Sequence, residues 1–300
     1  LIVFGYLAAR LRGRVPEEIT LTNHIGNIHS SRVKGIYYTQ QGVLAVCCFA
    51  VQLLAGGAVL STLAGLPFFP VTVAMAAIAL AYSSLEGIKA SVVTDYLQAL
   101  LMAAVLAALV PWCIYEGGGP AVIKAGLSGA EGGGGLNPFA PELFIGFGIP
   151  ATIGLLAGPI GDQMYWQRAF SLQKGTVSKT YILGAVLFGF IPLTLGLLGF
   201  MAAGGGIEVP DVQLTNLTAI LHWLPDWTGI PFTIMLLCGL ISTLDSASNG
   251  VGSLFGHDGD IEDEGNGVWL ARIGMVTLTL LGIIFGDVFV FEHLLIFVIV

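Results

Sequence analysis

Repeated long apolar runs restrict this chain more than any other feature. A bilayer span needs about 20 predominantly apolar residues. Seven stretches reach or approach that length: 36–64, 68–85, 92–115, 142–165, 180–204, 229–255 and 269–286. Shorter apolar pieces, 1–9 and 288–300, stand at the two ends and read as helices cut within their length. In lipid, every backbone polar group must be satisfied inside the chain, so such runs fold as helices. The predicted fold class is all-α, a polytopic transmembrane helix bundle. Composition bears on one point: 10% of residues are charged, against about 25% in a soluble domain. So few charges do not cover a water-facing surface.

The loops between the runs are polar or glycine-rich, the longest being 116–141 and 205–228, and neither reads as a separate domain. Residues 1–300 are therefore predicted to form a single transmembrane domain. If the helices alternate in direction, every one of the eleven Lys and Arg residues except Lys124 falls on one side. Cytoplasmic loops carry the basic residues, which orients the bundle and predicts a multi-pass protein of the cell membrane. The segment His257 to Gly265 is acidic and reads as a solvated loop. Its D-x-D start lacks the glycine that a calcium loop requires at its sixth position, where Asp263 stands. The cysteines Cys47, Cys48, Cys113 and Cys238 have no metal-ligand spacing and read as small core residues.

An ionisable group at membrane depth is costly and marks a functional position. Asp95, Asp162 and Asp245 qualify, and Asp245 lies several residues from either end of its span. Residues three and four apart share a helix face, so Ser242, Asp245, Ser246 and Asn249 form an oxygen-rich stripe with Thr243 beside it. Such oxygens suit a hard cation, and they also suit hydrogen bonds between helices. The span 142–165 carries Gly146, Gly148, Pro150, Gly154, Gly158, Pro159 and Gly161. This pattern predicts a broken helix lining a cavity, with Asp162 and Gln163 at its end. In the first full span, Gln52 is a candidate for a substrate path, and Gly56 and Gly57 predict close helix packing. No H-E-x-x-H or G-x-S-x-G set is present, and His24, His29, His222, His257 and His293 fall in loops or near helix ends. The reading is a protein that is not an enzyme.

Three motifs then carry a resemblance. Residues 86–98, EGIKASVVTDYLQ, resemble the GGLxAVxxTDxxQ signature of the solute:sodium symporter family. Residues 161–170, GDQMYWQRAF, resemble its DQxxxQR segment, and residues 239–246, GLISTLDS, resemble its AxxSTxxS segment. They occur in family order and spacing. The resemblance implies a LeuT-like architecture of two inverted five-helix repeats, incomplete here. Residues 1–115 would be the remainder of the first repeat, 142–300 the second, and the first core helix would be absent. It implies sodium-coupled symport of a small polar solute by alternating access, with sodium as coupling ion and no other cofactor. Gly239, Ser242 and Thr243 match the family's usual sodium site. Asp95, Asp245 and Ser246 match an additional one. Gln52, Gly154, Gly158, Asp162 and Gln163 form the candidate substrate path. Gly158 and Pro159 stand where sugar-transporting members carry aromatics, and the DQMYWQR form is closest to urea and polyamine transporters. The expected partners are solute, sodium and the lipid bilayer, with no nucleic acid. A non-transporting sensor or channel on the same fold is the alternative.

Overall fold

The computed structural model describes residues 1–15, 20–129, 141, 144–209, 212–257 and 264–288. The end fragment 288–300 lies outside the described residues apart from Val288. The acidic stretch 258–263 also lies outside them. Among the described residues there is no strand. The helices are α1 Ile2–Arg14, α2 Leu21–Ile28, α3 Ser31–Ala64, α4 Phe68–Glu116 and α5 Pro120–Ser128. A π-helical turn, Phe144–Gly148, leads into α6, Ile149–Gly161. Then come α7 Gln163–Ser171, α8 Val177–Gly204, α9 Thr215–Trp223, α10 Gly229–His257 and α11 Glu264–Val288. Six helical segments among the described residues are long and apolar enough to cross a membrane. They are 31–64, 91–116, 144–161, 177–204, 226–256 and 266–286, and Phe68–Ser84 is a shorter apolar helix. The chain is a polytopic helical membrane bundle.

Two expectations about loops are corrected. The stretches 68–85 and 92–115 are not parted by a polar loop but belong to one continuous helix, α4. That helix is not straight. Tyr82 and Thr94 hydrogen-bond through their hydroxyls, although they are 12 residues apart. A straight helix would hold them ~18 Å apart along its axis, beyond the combined reach of the two side chains. The chain therefore turns back between its apolar halves while keeping helical backbone bonds. Ser84 lies in the bent stretch and donates to the Ala81 carbonyl at 3.1 Å, a serine back-bond of the kind that bends helices. The second correction concerns 116–141 and 205–228, which read as loops but contain α5 and α9. Both helices are only 9 residues long, too short to register as spans.

Three apolar clusters organise the interior. Phe49, Leu53, Ala76, Leu244 and Leu278 join α3, the first half of α4, α10 and α11. Leu106, Val110, Leu198, Met201, Ile220 and Phe232 join the second half of α4 to α8, α9 and α10. Phe4, Trp166, Phe170 and Val177 tie α1 to α7 and the start of α8. Lipid is as apolar as leucine, so close van der Waals fit holds such helices together, and small residues permit it. A Cβ at Gly56 would stand 2.3 Å from the Met75 side chain, and one at Gly57 2.5 Å from Thr72. The expected close packing of α3 on α4 is present. The approach of α5 to α8 is tighter still: a Cβ at Gly126 would stand 1.9 Å from the Phe200 carbonyl oxygen.

Candidate functional site

The site is built where α10 faces both halves of α4, with α7 closing one side. Of the oxygen-rich stripe expected on α10, Asp245, Ser246 and Asn249 are buried and Ser242 is partly buried, with Thr243 partly buried beside it. Asp245, Ser246, Ser248, Asn249 and Ser253 are all buried. Burial of so many polar groups at membrane depth requires partners, and α4 and α7 supply most of them.

Asp95, in the second half of α4, accepts a hydrogen bond from the Ser242 hydroxyl through Oδ1. Its Oδ2 accepts from Arg168 Nη2 at 2.6 Å, an ion pair. The same Nη2 donates to Ser246 Oγ at 2.6 Å. Ser246 in turn donates to the Ser242 carbonyl at 2.6 Å. Arg168 and Asp95 retain 29% and 23% of their side-chain exposure, so protein covers the pair only in part.

Asp245 faces a different set. It is 2% exposed, and its Oδ1 accepts from Ser83 Oγ at 2.7 Å and from Asn249 Nδ2 at 2.9 Å. Its Oδ2 and the hydroxyl of neighbouring Ser91 are both buried, each without a well-formed hydrogen bond among the described residues. Ser83 and Ser91 flank the bend of α4, so the carboxylate sits inside the fold-back. Thr243 Oγ1 donates to the Gly239 carbonyl at 3.1 Å, within its own helix. The six candidate ion-site residues thus lie on one helix and its neighbour, but in three separate hydrogen-bond groups.

The candidate substrate-path residues do not converge. Gln163 is 2% exposed and ties helices together: its Nε2 donates to Ser253 Oγ at 3.1 Å, and its Oε1 accepts from the Leu21 amide at 3.4 Å. Asp162 caps α7, accepting from the Met164 amide at 2.9 Å. Burial pushes its carboxyl above the ordinary value, opposed by that amide bond and by the nearby Arg168 charge. Gly154 and Gly158 have nothing within 4 Å of where a Cβ would stand, and only 6% of the 144–161 window is buried. That span is peripheral among the described residues, and its irregularity is the π-helical turn rather than a break at Gly154 or Gly158. A cavity of about 420 Å³ does open between α3, α4, α8 and α10, lined by Val51, Ala55, Met102, Leu195, Met235 and Gly239 among others. Its one side-chain amide comes from Gln213. Gln52 is not among its lining residues, although its neighbour Val51 is.

Sequence reasoning missed Arg168, Ser83, Ser91 and Gln167 as members of the site. Gln167 Nε2 donates to the Asn249 carbonyl at 3.2 Å. The available signal was the Q-R pair that closes the DQMYWQR motif. By charge alone Arg168 reads as one more basic residue on the side where the other Lys and Arg residues gather.

A bundle of apolar helices around a carboxylate–guanidinium–hydroxyl network defines the class: a polytopic membrane protein with a polar site built into its core. The model of the sodium:solute symporter family matches residues 2–284, and the chain belongs to that family. The urea-proton symporter DUR3 of Oryza sativa subsp. japonica is similar, being 23% identical over 280 residues. The match takes in 83% of this chain and 38% of that relative, so the chain spans well under half the relative's length.

Proposed function

We propose that this chain forms the greater part of the translocation core of a secondary active transporter, coupling sodium entry to symport of a small polar solute by alternating access. Family membership supports the class. The observation that carries the ion site is the junction of Asp95 with Ser242 across α4 and α10, a carboxylate and a hydroxyl shared between two helices inside the bundle. Movement of those helices relative to each other would make or unmake the site. The reading assigns Gly239, Ser242 and Thr243 to one sodium site and Asp95, Asp245 and Ser246 to a second. It takes a LeuT-like inverted repeat as the frame and the cell membrane as the location. The membrane potential contributes roughly 2.3 kcal/mol per charge per 100 mV to sodium entry. Sodium must bind one conformation better than the other, because a ligand shifts an equilibrium only by its differential affinity.

The solute class is urea-like, with amino acids and small carboxylates as competitors. The printed name of the similar relative, a urea-proton symporter, supports both the urea reading and a second reading in which a proton is the coupling ion. A sensor or channel on the same fold is the remaining alternative, and an enzymatic role has no catalytic set to support it. The deciding experiment is solute uptake into proteoliposomes by the complete protein, over a panel of solutes, with sodium or pH gradients imposed separately. Sodium-driven uptake is the expected result, and uptake driven only by the pH gradient moves the assignment to the proton. Asp95→Asn and Thr243→Ala should each raise the sodium concentration needed for half-maximal uptake. Unchanged sodium dependence in both variants removes the ion-site assignment.

A further inference from the structure

The Asp95 site already holds a cation in this conformation, and the cation is part of the chain. We propose that the Arg168 guanidinium is a resident cation, and that sodium binds the Asp95 and Ser246 oxygens only by displacing it. The inference rests on the sodium-coupling reading above and adds a mechanism of release.

The geometry carries the argument. Both oxygens of Asp95 are taken, one by Ser242 and one by Arg168. The Ser246 hydroxyl oxygen is also engaged by Arg168. Sodium needs those same oxygens in place of its water shell, so the two cations exclude each other. The exchange swaps one unit of positive charge for another and leaves the charge of the site unchanged, so no net charge is buried or exposed. Asp245, close by, forms no ion pair among the described residues.

Arg168 is also placed to leave alone. Its helix, α7, is anchored by other residues: Gln163 to Ser253, Gln167 to the Asn249 carbonyl, and Trp166 Nε1 to the Ile160 carbonyl at 2.7 Å. The arginine has a long flexible stem and is 29% exposed. Its guanidinium can swing into water without undocking α7.

Two measurements test this on the complete purified protein. The first is modification of Arg168 by phenylglyoxal, located by mass spectrometry, in sodium chloride and in choline chloride. Sodium should speed labelling roughly tenfold, the factor for releasing a charge-assisted hydrogen bond of ordinary strength. Labelling that is unchanged or slowed by sodium overturns the proposal. The second uses Arg168→Ala and binding of radiolabelled guanidinium ion. The variant should bind guanidinium with sodium competing, while the unaltered protein and Arg168→Ala combined with Asp95→Asn should not bind it. Guanidinium binding that sodium leaves untouched makes Arg168 a static brace and overturns the exchange. If Arg168→Ala is not monodisperse, the labelling experiment on the unaltered protein decides. Sodium-driven uptake without any sodium effect on Arg168 defeats this inference alone. Uptake indifferent to a sodium gradient defeats the coupling reading itself.

Discussion

Helices α8 and α10 have nearly the same length, 28 and 29 residues, yet they solve opposite problems. α8 exposes Leu183, Val186, Leu187, Phe188, Phe190 and Leu193, and only 11% of its span window is buried. α10 buries Asp245, Ser246, Ser248, Asn249 and Ser253 against α3, α4, α7 and α11. One helix presents apolar side chains outward over most of its length and touches protein through Leu198 and Met201 near one end and through backbone against α5. The other carries polar groups that are tolerable only because neighbours satisfy them. The difference teaches that on these two helices polarity goes with burial inside the protein, and apolar side chains with the outward face.

The largest expected effect comes from placing a charge on the wrong helix. Leu187→Asp puts a carboxylate on the exposed face of α8 and should cost about 3 kcal/mol of membrane insertion. Its readout is the membrane-integrated fraction after expression, and wild-type integration would break the comparison. Next comes the exception on α8, its backbone contact with α5. Gly126→Ala drives a Cβ into the Phe200 carbonyl and should destabilise by about 2–3 kcal/mol, read as a lower midpoint in a thermal size-exclusion series in detergent. A smaller loss, about 1–2 kcal/mol, is expected for Asp245→Leu, which leaves the buried Ser83 hydroxyl without its acceptor. Asp245→Asn keeps an acceptor there and should recover much of that midpoint. Least affected should be Ser248→Ala. The Ser248 hydroxyl is buried with no partner among the described residues, so its removal should move the midpoint by the equivalent of less than about 0.5 kcal/mol. A large drop would mean that polarity on α10 matters beyond the bonds it makes.

Much of the architecture was legible before any coordinates. The runs at 36–64, 180–204, 229–255 and 269–286 correspond to α3, α8, α10 and α11 within a few residues at most ends. Length and hydropathy are local properties, and a bilayer leaves the backbone few other choices. The boundary between 68–85 and 92–115 was misread because a helix can bend without losing its hydrogen bonds. Polar residues inside a bend look the same in sequence as polar residues in a loop. The stripe on α10 was visible from its spacing alone. Its division into an Asp95 group and an Asp245 group was not, since Ser83 lies 162 residues from Asp245 and Arg168 lies 73 from Asp95.

By itself, then, the sequence determined that this protein is a bundle of membrane helices, and which carboxylates stand in its apolar runs. Those follow from the energy of each side chain in water or hydrocarbon, a quantity that needs no knowledge of neighbours. Only the tertiary structure decided that Arg168 faces Asp95, that Asp245 sits inside the fold of α4, and that Gly154 and Gly158 lie on an open face. Those outcomes depend on distances between residues far apart in the chain. Pairing energies fall off within a few ångströms, so which oxygen meets which cation is settled only when the helices pack.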